Sequence, residues 1–170
     1  ELLEPILWDL VGLPAQFVVL GNGDQKLEDF FGHASVWLKD SLAAYIGFSN
    51  ELAHRITAGA DMFLMPSAYE PCGMNQMYSM RYGTIPVVHK TGGLADTVRD
   101  FHEFPGEGTG FSFTDFSSHG LKHALERAVG AFHQKETEWR PMQLRGMKQD
   151  FSWGQSARKY EEVYRKVSPA

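Results

Sequence analysis

Asp61-Met62-Phe63-Leu64-Met65-Pro66-Ser67-Ala68-Tyr69-Glu70-Pro71-Cys72-Gly73-Met74-Asn75-Gln76 leads from an apolar run through a turn into Met77-Tyr78-Ser79-Met80-Arg81-Tyr82. The run over 61–65 predicts a buried strand, and the segment over 77–82 predicts a helix. A carboxylate, a thiol, a glycine and an amide therefore sit at a strand-to-helix junction. Open α/β sheets place ligand groups at such junctions. The first turn of the helix presents N–H groups with no intrahelical partner, which suits an anion.

Working outward, strand and helix patterns alternate. Residues 1–11 are apolar at helical spacing and stop at Gly12-Leu13-Pro14. Gln16-Phe17-Val18-Val19-Leu20 predicts a buried strand ended by a turn at Gly21-Asn22-Gly23. Asp24 is placed to cap a helix reaching Trp37. A strand follows over 42–48, then a helix capped by Ser49 or Asn50 through Ala58. Beyond the junction, Ile85-Pro86-Val87-Val88-His89 predicts a further strand, and Lys90-Thr91-Gly92-Gly93-Leu94 opens a turn or helix toward Val98. Residues 101–110 read as a surface loop, Phe111-Ser112-Phe113 as a weak strand, and three helices close the chain, over 117–134, 136–149 and 152–167. The last two carry few core signals. Strands separated by helices imply βαβ units, hence a Rossmann-like parallel sheet with helices on both faces.

The 170 residues suffice for one domain with its own core. Net charge is −5 with no basic patch, which argues against a nucleic-acid partner. No apolar run reaches the ~18 residues of a membrane span. The single cysteine, Cys72, excludes an intrachain disulfide, and the seven histidines are scattered without zinc spacing. No metal or cofactor is expected. Because the chain opens at Glu1 inside a helical pattern, it is expected to be a domain of a longer protein.

Each candidate residue has a functional and a structural reading. Glu70 can accept a hydrogen bond from a sugar hydroxyl or balance positive charge as a leaving group departs; it can also be an acid favoured by the helix dipole. Pro71 biases Glu70 away from the helical region. Cys72 can be reactive at a helix start, or simply a small residue in a pocket wall, and no nearby histidine stands ready as its base. The N–H groups of Gly73, Met74 and Asn75 can hold a phosphate or a hexose hydroxyl, or merely begin a helix. Thr91-Gly92-Gly93 can cradle a ligand or make a tight turn, and Gly21-Asn22-Gly23 is a third turn of that kind. Phe48, ending its strand, can stack on a base or line the rim. Arg55 can reach a phosphate or sit in a solvated helix face. Trp139, Phe151 and Trp153 read as packing residues. Several of these groups fall at the C-terminal ends of successive strands.

The stretch from Pro66 through Val88, continued by Lys90-Thr91-Gly92-Gly93-Leu94-Ala95-Asp96-Thr97-Val98, closely resembles bacterial glycogen synthases and plant starch synthases. Ile46-Gly47-Phe48 before His54-Arg55-Ile56 matches as well, as does Asp150-Phe151-Ser152-Trp153. The resemblance implies the C-terminal half of a GT-B fold. Residues 1–150 would be its nucleotide-sugar-binding domain, and 151–170 a helix packing toward an N-terminal domain. It implies transfer of glucose from ADP-glucose, with retention, to the nonreducing end of an α-1,4-glucan. Glu70 would be the essential carboxylate near the donor glucose. Cys72, Gly73, Met74 and Asn75 would line the donor pocket, Phe48 would stack on adenine, and Thr91 and Gly92 would border the cleft.

Three positions depart from the pattern. Asn75 stands where Thr is commoner, Phe48 where Tyr is commoner, and Tyr78 where the wider family of retaining enzymes has a second Glu. The resemblance also implies partners outside the chain. These are an N-terminal domain with the acceptor groove and a catalytic-site histidine, and a first strand, just before Glu1, bearing a phosphate-binding Arg and Lys. The segment alone is expected to be nearly inactive. The compartment implied is the cytoplasm for a bacterial source and the plastid for a plant one. Two alternatives are a glycosyltransferase domain with another nucleotide-sugar donor, and a nucleotide- or glucan-binding module.

Overall fold

In the computed structural model, which describes residues 1–134 and 136–168, every residue of the strand Ile85–His89 is buried. Strands Phe17–Gly21 (β1), Leu42–Ile46 (β2), Met62–Met65 (β3), Ile85–His89 (β4) and Phe111–Phe113 (β5) alternate with helices Leu7–Leu10 (α1), Gln25–Trp37 (α2), Asn50–Gly59 (α3), Asn75–Tyr82 (α4), Gly92–Thr97 (α5), Ser118–Gln134 (α6), Glu136–Met147 (α7) and Trp153–Val167 (α8). The fold class is α/β with parallel strands, as the alternation implies.

Side chains of β4 alternate between two layers, as the pleat requires. Ile85 and Val87 join Phe111, Leu121, Leu125, Ala128, Trp139 and Met142 in the larger core, which α6 and α7 cover. Val88 points the other way, to Met65, Met80, Leu94 and Val98 under α4 and α5. β3, β4 and β5 pair in parallel in that order, with Leu64 opposite Val87 and Val87 opposite Phe111. Burial on both faces explains why the sequence of β4 is apolar without alternation.

The sheet does not run on through the whole chain. β1 and β2 form a separate parallel pair, with Phe17 opposite Leu42 and Leu20 opposite Tyr45. Between β1 and β3 lies a cavity of about 950 Å³, lined by Phe17 to Leu20 on one side and Met62 to Leu64 on the other, with Leu10, Ile56 and Leu125 among its walls. Among the described residues, neither β1 nor β3 has a hydrogen-bonded neighbour along the edge that faces this space. The strands read as buried are accordingly only half-buried at Phe17, Val19, Met62, Phe63 and Leu64, and Val18 is 55% exposed.

Local chemistry sets the element ends. The Asp24 carboxylate accepts from the Lys26 N–H at 3.0 Å and caps α2. Ser49 Oγ accepts from the Leu52 N–H at 3.2 Å and caps α3. Gly83 closes α4 at φ +85°, a left-handed value that suits glycine. Residues 1–11 form only a 3₁₀ turn over Glu4–Ile6 and one helical turn in α1, because Pro5 starts the segment and Gly12 stops it. The closing helices differ from one another. Trp139 and Met142 of α7 are core residues, whereas no residue of α8 is buried and Trp153 is 86% exposed. Trp153 is thus not a packing residue within this chain.

Candidate functional site

β3 ends at Met65, and the chain then crosses the C-terminal end of the sheet to enter α4 at Asn75. His89, at the end of β4, secures the start of this crossing. Its Nδ1–H donates to the Ser67 carbonyl at 2.7 Å, and the ring packs on Phe113 and Phe116. Glu70 follows in a half-buried position, and no donor or cation meets its carboxylate among the described residues. Cys72, Met74 and Asn75 are exposed. No side chain caps α4, so its first-turn N–H groups face the crossing without a side-chain acceptor.

The crossing over 70–74 is held against the turn over 91–93 by backbone contacts. The Gly93 N–H donates to the Glu70 carbonyl at 3.0 Å. A Cβ at Gly92 would stand 2.0 Å from the Glu70 carbonyl oxygen, and one at Gly93 2.0 Å from that of Cys72. The two glycines are thus small because another piece of the same chain passes over them. Gly73 has φ +68°, and a Cβ there would meet Gln76 Oε1 at 2.6 Å. Glu70, Cys72, Gly73, Met74, Asn75, Thr91 and Gly92 therefore belong to one structural unit. Phe48 does not touch it among the contacts described. It follows β2, in the two-stranded half, and is 85% exposed.

Two other sequence candidates are occupied. The Gly23 N–H donates to the Glu28 carboxylate at 2.8 Å, so the turn at 21–23 serves the start of α2. Arg55 pairs with Glu51 at 2.6 Å on an exposed helix face. Lys90 and Arg81, the cations flanking the unit in sequence, are also engaged. Lys90 pairs with Glu103 at 2.6 Å, and Arg81 donates to the Met147 carbonyl at 3.0 Å. The unit thus offers a carboxylate, an uncapped helix start and exposed small side chains, with its neighbouring cations committed elsewhere. No group of metal-binding side chains occurs among the described residues.

Sequence reading missed three residues. Gln76 is fully buried, and its amide binds the crossing from beneath; the signal was its helical phase with buried Ser79 and Met80. Thr97 receives that amide at 3.1 Å. Asp100 is 3% exposed and gathers Ser112, His102 and Arg127 behind β5. Burial pushes its carboxyl up, but the Ser112 N–H, the Arg127 guanidinium and the His102 N–H outweigh this and hold it below its ordinary value. Ser112 and Arg127 lie 12 and 27 residues away, so no local pattern announced their meeting at Asp100.

The sequence matches the family model of the glycosyl transferases group 1 over residues 7–132. It is 46% identical over 167 residues to a glycogen synthase of Desulforamulus reducens, a match covering 98% of this chain and 35% of that protein. It is 45% identical over 160 residues to soluble starch synthase 1, chloroplastic/amyloplastic, of Solanum tuberosum, covering 92% of this chain and 25% of that protein. Among solved structures it is similar to the catalytic domain of starch synthase IV from Arabidopsis thaliana bound to ADP and acarbose. There the TM-score is 0.86 and the identity 36%, over 97% of this chain and 35% of the other. The chain spans about a third of the length of the bacterial relatives it matches.

Proposed function

The chain belongs to the group 1 glycosyltransferases, and from that premise we propose that it is the donor-binding half of a retaining glucosyltransferase that moves glucose from ADP-glucose to the nonreducing end of an α-1,4-glucan. The observation that carries the reading is the unit at 70–76 and 91–93, in a chain 36% identical to a starch synthase catalytic domain bound to ADP and acarbose. In this reading the nucleotide diphosphate lies at the uncapped start of α4, where N–H groups and the helix dipole favour negative charge. The donor glucose sits beside Glu70. As the bond to the diphosphate lengthens, positive charge grows on the sugar, and a carboxylate fixed nearby stabilises it electrostatically. Cys72, Gly73, Met74 and Asn75 shape the pocket around the sugar and phosphates. Thr91 and Gly92 border it. Phe48 offers a ring face to the adenine, with stacking worth about 1–3 kcal/mol.

The leaving diphosphate also needs positive charge, and Arg55, Arg81 and Lys90 are committed elsewhere. We assign that charge to residues outside 1–170. The cavity between β1 and β3 supports this assignment. Its walls are two unpaired parallel edges with apolar side chains, the setting of a central strand. A strand placed there would end beside the start of α4 and deliver its final residues to the phosphates. The exposed Tyr160, Val163, Tyr164 and Val167 stripe of α8 suits a contact with an N-terminal domain carrying the acceptor groove.

Transfer assays on the intact protein, with maltooligosaccharide as acceptor, test the reading. Glucan elongation from ADP-glucose, with UDP-glucose used at least ~10-fold less efficiently, is expected. Equal or better use of UDP-glucose would overturn the donor assignment. Binding of glucan without any transfer would reduce the protein to a carbohydrate-binding module. Residues 1–170 alone are expected to show no elongation.

A further inference from the structure

The crossing that bears Glu70 is tied down by a closed set of hydrogen bonds that runs beneath the site. Gln76 Nε2 lies 3.1 Å from the carbonyls of Cys72 and Gly73 and 3.1 Å from Thr97 Oγ1. The Thr97 hydroxyl donates to the Gly93 carbonyl at 2.6 Å. The Gly93 N–H returns the chain of bonds to the Glu70 carbonyl at 3.0 Å. The circuit thus passes from α4 to α5 and back to the crossing. It contains two side chains, and neither is exposed. Each of its backbone partners lies in the unit that carries Glu70, Cys72 and Gly92.

The amide orientation is fixed by chemistry. Two carbonyls and a hydroxyl whose proton is already given to Gly93 all require a donor, so the NH₂ end of Gln76 faces them. The opposite atom, Gln76 Oε1, is buried without a hydrogen-bond donor among the described residues. A buried acceptor left in this way costs stability. An apolar side chain of the same length would leave the carbonyls of Cys72 and Gly73 and the Thr97 hydroxyl without a donor, so the amide is what joins the three.

We propose that Gln76 and Thr97 are positioning residues: together they fix the backbone of the 70–74 crossing against the 91–93 turn, and so set the place of the Glu70 carboxylate and the Cys72 side chain. The proposal rests on the donor-site reading given above. Neither residue needs to touch the substrate. A displacement of the order of 1 Å in a group that acts on the transition state costs up to about 100-fold in rate.

The test uses the intact protein with Gln76→Met, Thr97→Val, Thr97→Ser and the double variant Gln76→Met/Thr97→Val. Gln76→Met keeps the volume but leaves the carbonyls of Cys72 and Gly73 and the Thr97 hydroxyl without their donor, so some loss of stability is expected, and kcat for glucosyl transfer in the folded protein is expected to fall at least ~10-fold. Thr97→Val is expected to do the same, and the double variant to fall no more than ~3-fold below the worse single one, because both act through one circuit. Thr97→Ser restores the hydroxyl and is expected within ~3-fold of the starting protein, with the acceptor KM unchanged throughout. A second readout is independent of turnover. The alkylation rate of Cys72 by iodoacetamide, followed on its own peptide by mass spectrometry, is expected to shift at least ~3-fold in Gln76→Met and Thr97→Val but not in Thr97→Ser. Rates of transfer and labelling within twofold of the starting protein in both polar-deleting variants would overturn the proposal. So would a Thr97→Ser variant no better than Thr97→Val. If the intact protein transfers no glucose, the functional reading fails, and the Cys72 labelling arm alone decides the positioning claim.

Discussion

Ile85-Pro86-Val87-Val88-His89 and Phe17-Val18-Val19-Leu20-Gly21 are both apolar strands of a parallel pair, yet β4 is buried at every residue while β1 has none buried. The difference lies in their neighbours. β4 has a strand on each edge and helices on each face. β1 has β2 on one edge and the cavity on the other. A sequence written for a central strand therefore meets two environments in one chain. The closed half around β4 carries the crossing with Glu70, already braced by His89, Gly93, Gln76 and Thr97. The open half carries Phe48, exposed and unbraced. On the proposed function, the difference amounts to a division of labour: the hydrogen-bonded half would place Glu70, and the open half would offer Phe48 as a contact to the base.

The largest expected effect separates these roles on the intact protein. Glu70→Gln keeps the shape of the side chain and removes the charge, so kcat is expected to fall by about 10³-fold with little change in the ADP-glucose KM. A variant within tenfold of the starting kcat would break the assignment of the closed half.

Next come the cores. Leu121→Ala, at a fully buried site beneath β4 and β5, is expected to destabilise by about 3 kcal/mol in urea unfolding. Val18→Ala, on a side chain 55% exposed in residues 1–170, is expected to cost about 0.5 kcal/mol or less there. The same substitution in the intact protein sharpens the comparison. If a strand fills the cavity beside β1, the cost rises to ~1 kcal/mol or more. An unchanged cost would mean that the cavity stays open.

Acid probes the closed half from behind. The Asp100 carboxyl is held below its ordinary value in the folded state. The unfolded chain therefore binds the proton first, and the stability that Asp100 contributes is present above the unfolded value of about 3.9. It is lost as pH falls below that value and through the lowered folded one. Asp100→Asn is expected to cost about 3 kcal/mol at neutral pH, and to flatten the fall in stability below pH ~4. An equally steep fall in the variant would assign the acid sensitivity to other groups.

The smallest effect on transfer belongs to Phe48 in the open half. Phe48→Ala is expected to raise the ADP-glucose KM about tenfold through lost stacking, with kcat within ~2-fold. A fall in kcat comparable to that of Glu70→Gln would erase the distinction between the halves.

Much of this was legible in the residues. The apolar run at 85–89, the caps at Asp24 and Ser49, and the strand-to-helix junction at 65–75 each follow from local rules, and each stands in the structure. The break between β1 and β3 was not legible, because alternation of strand and helix fixes the class of sheet but not which edges meet. Trp139 is the packing residue it was read as, whereas the burial of Met142 was hidden in a helix with few apolar residues and an internal Pro141. Trp153 misled in the opposite direction: a large aromatic ring in an amphipathic helix announces a contact without saying whether the contact lies within the chain. Gln76 showed only through its helical phase with Ser79 and Met80, while the bonds from Gln76 to Thr97 and from Arg127 to Asp100 span 21 and 27 residues, and no spacing rule registers a bond of that reach.

The most direct measurement is amide hydrogen exchange on the intact protein with and without saturating ADP. Slower exchange is expected over 73–77, at the start of α4, and over 91–97, with little change in α6. Nucleotide binding that leaves 73–77 and 91–97 unprotected, or protects another face alone, would contradict it.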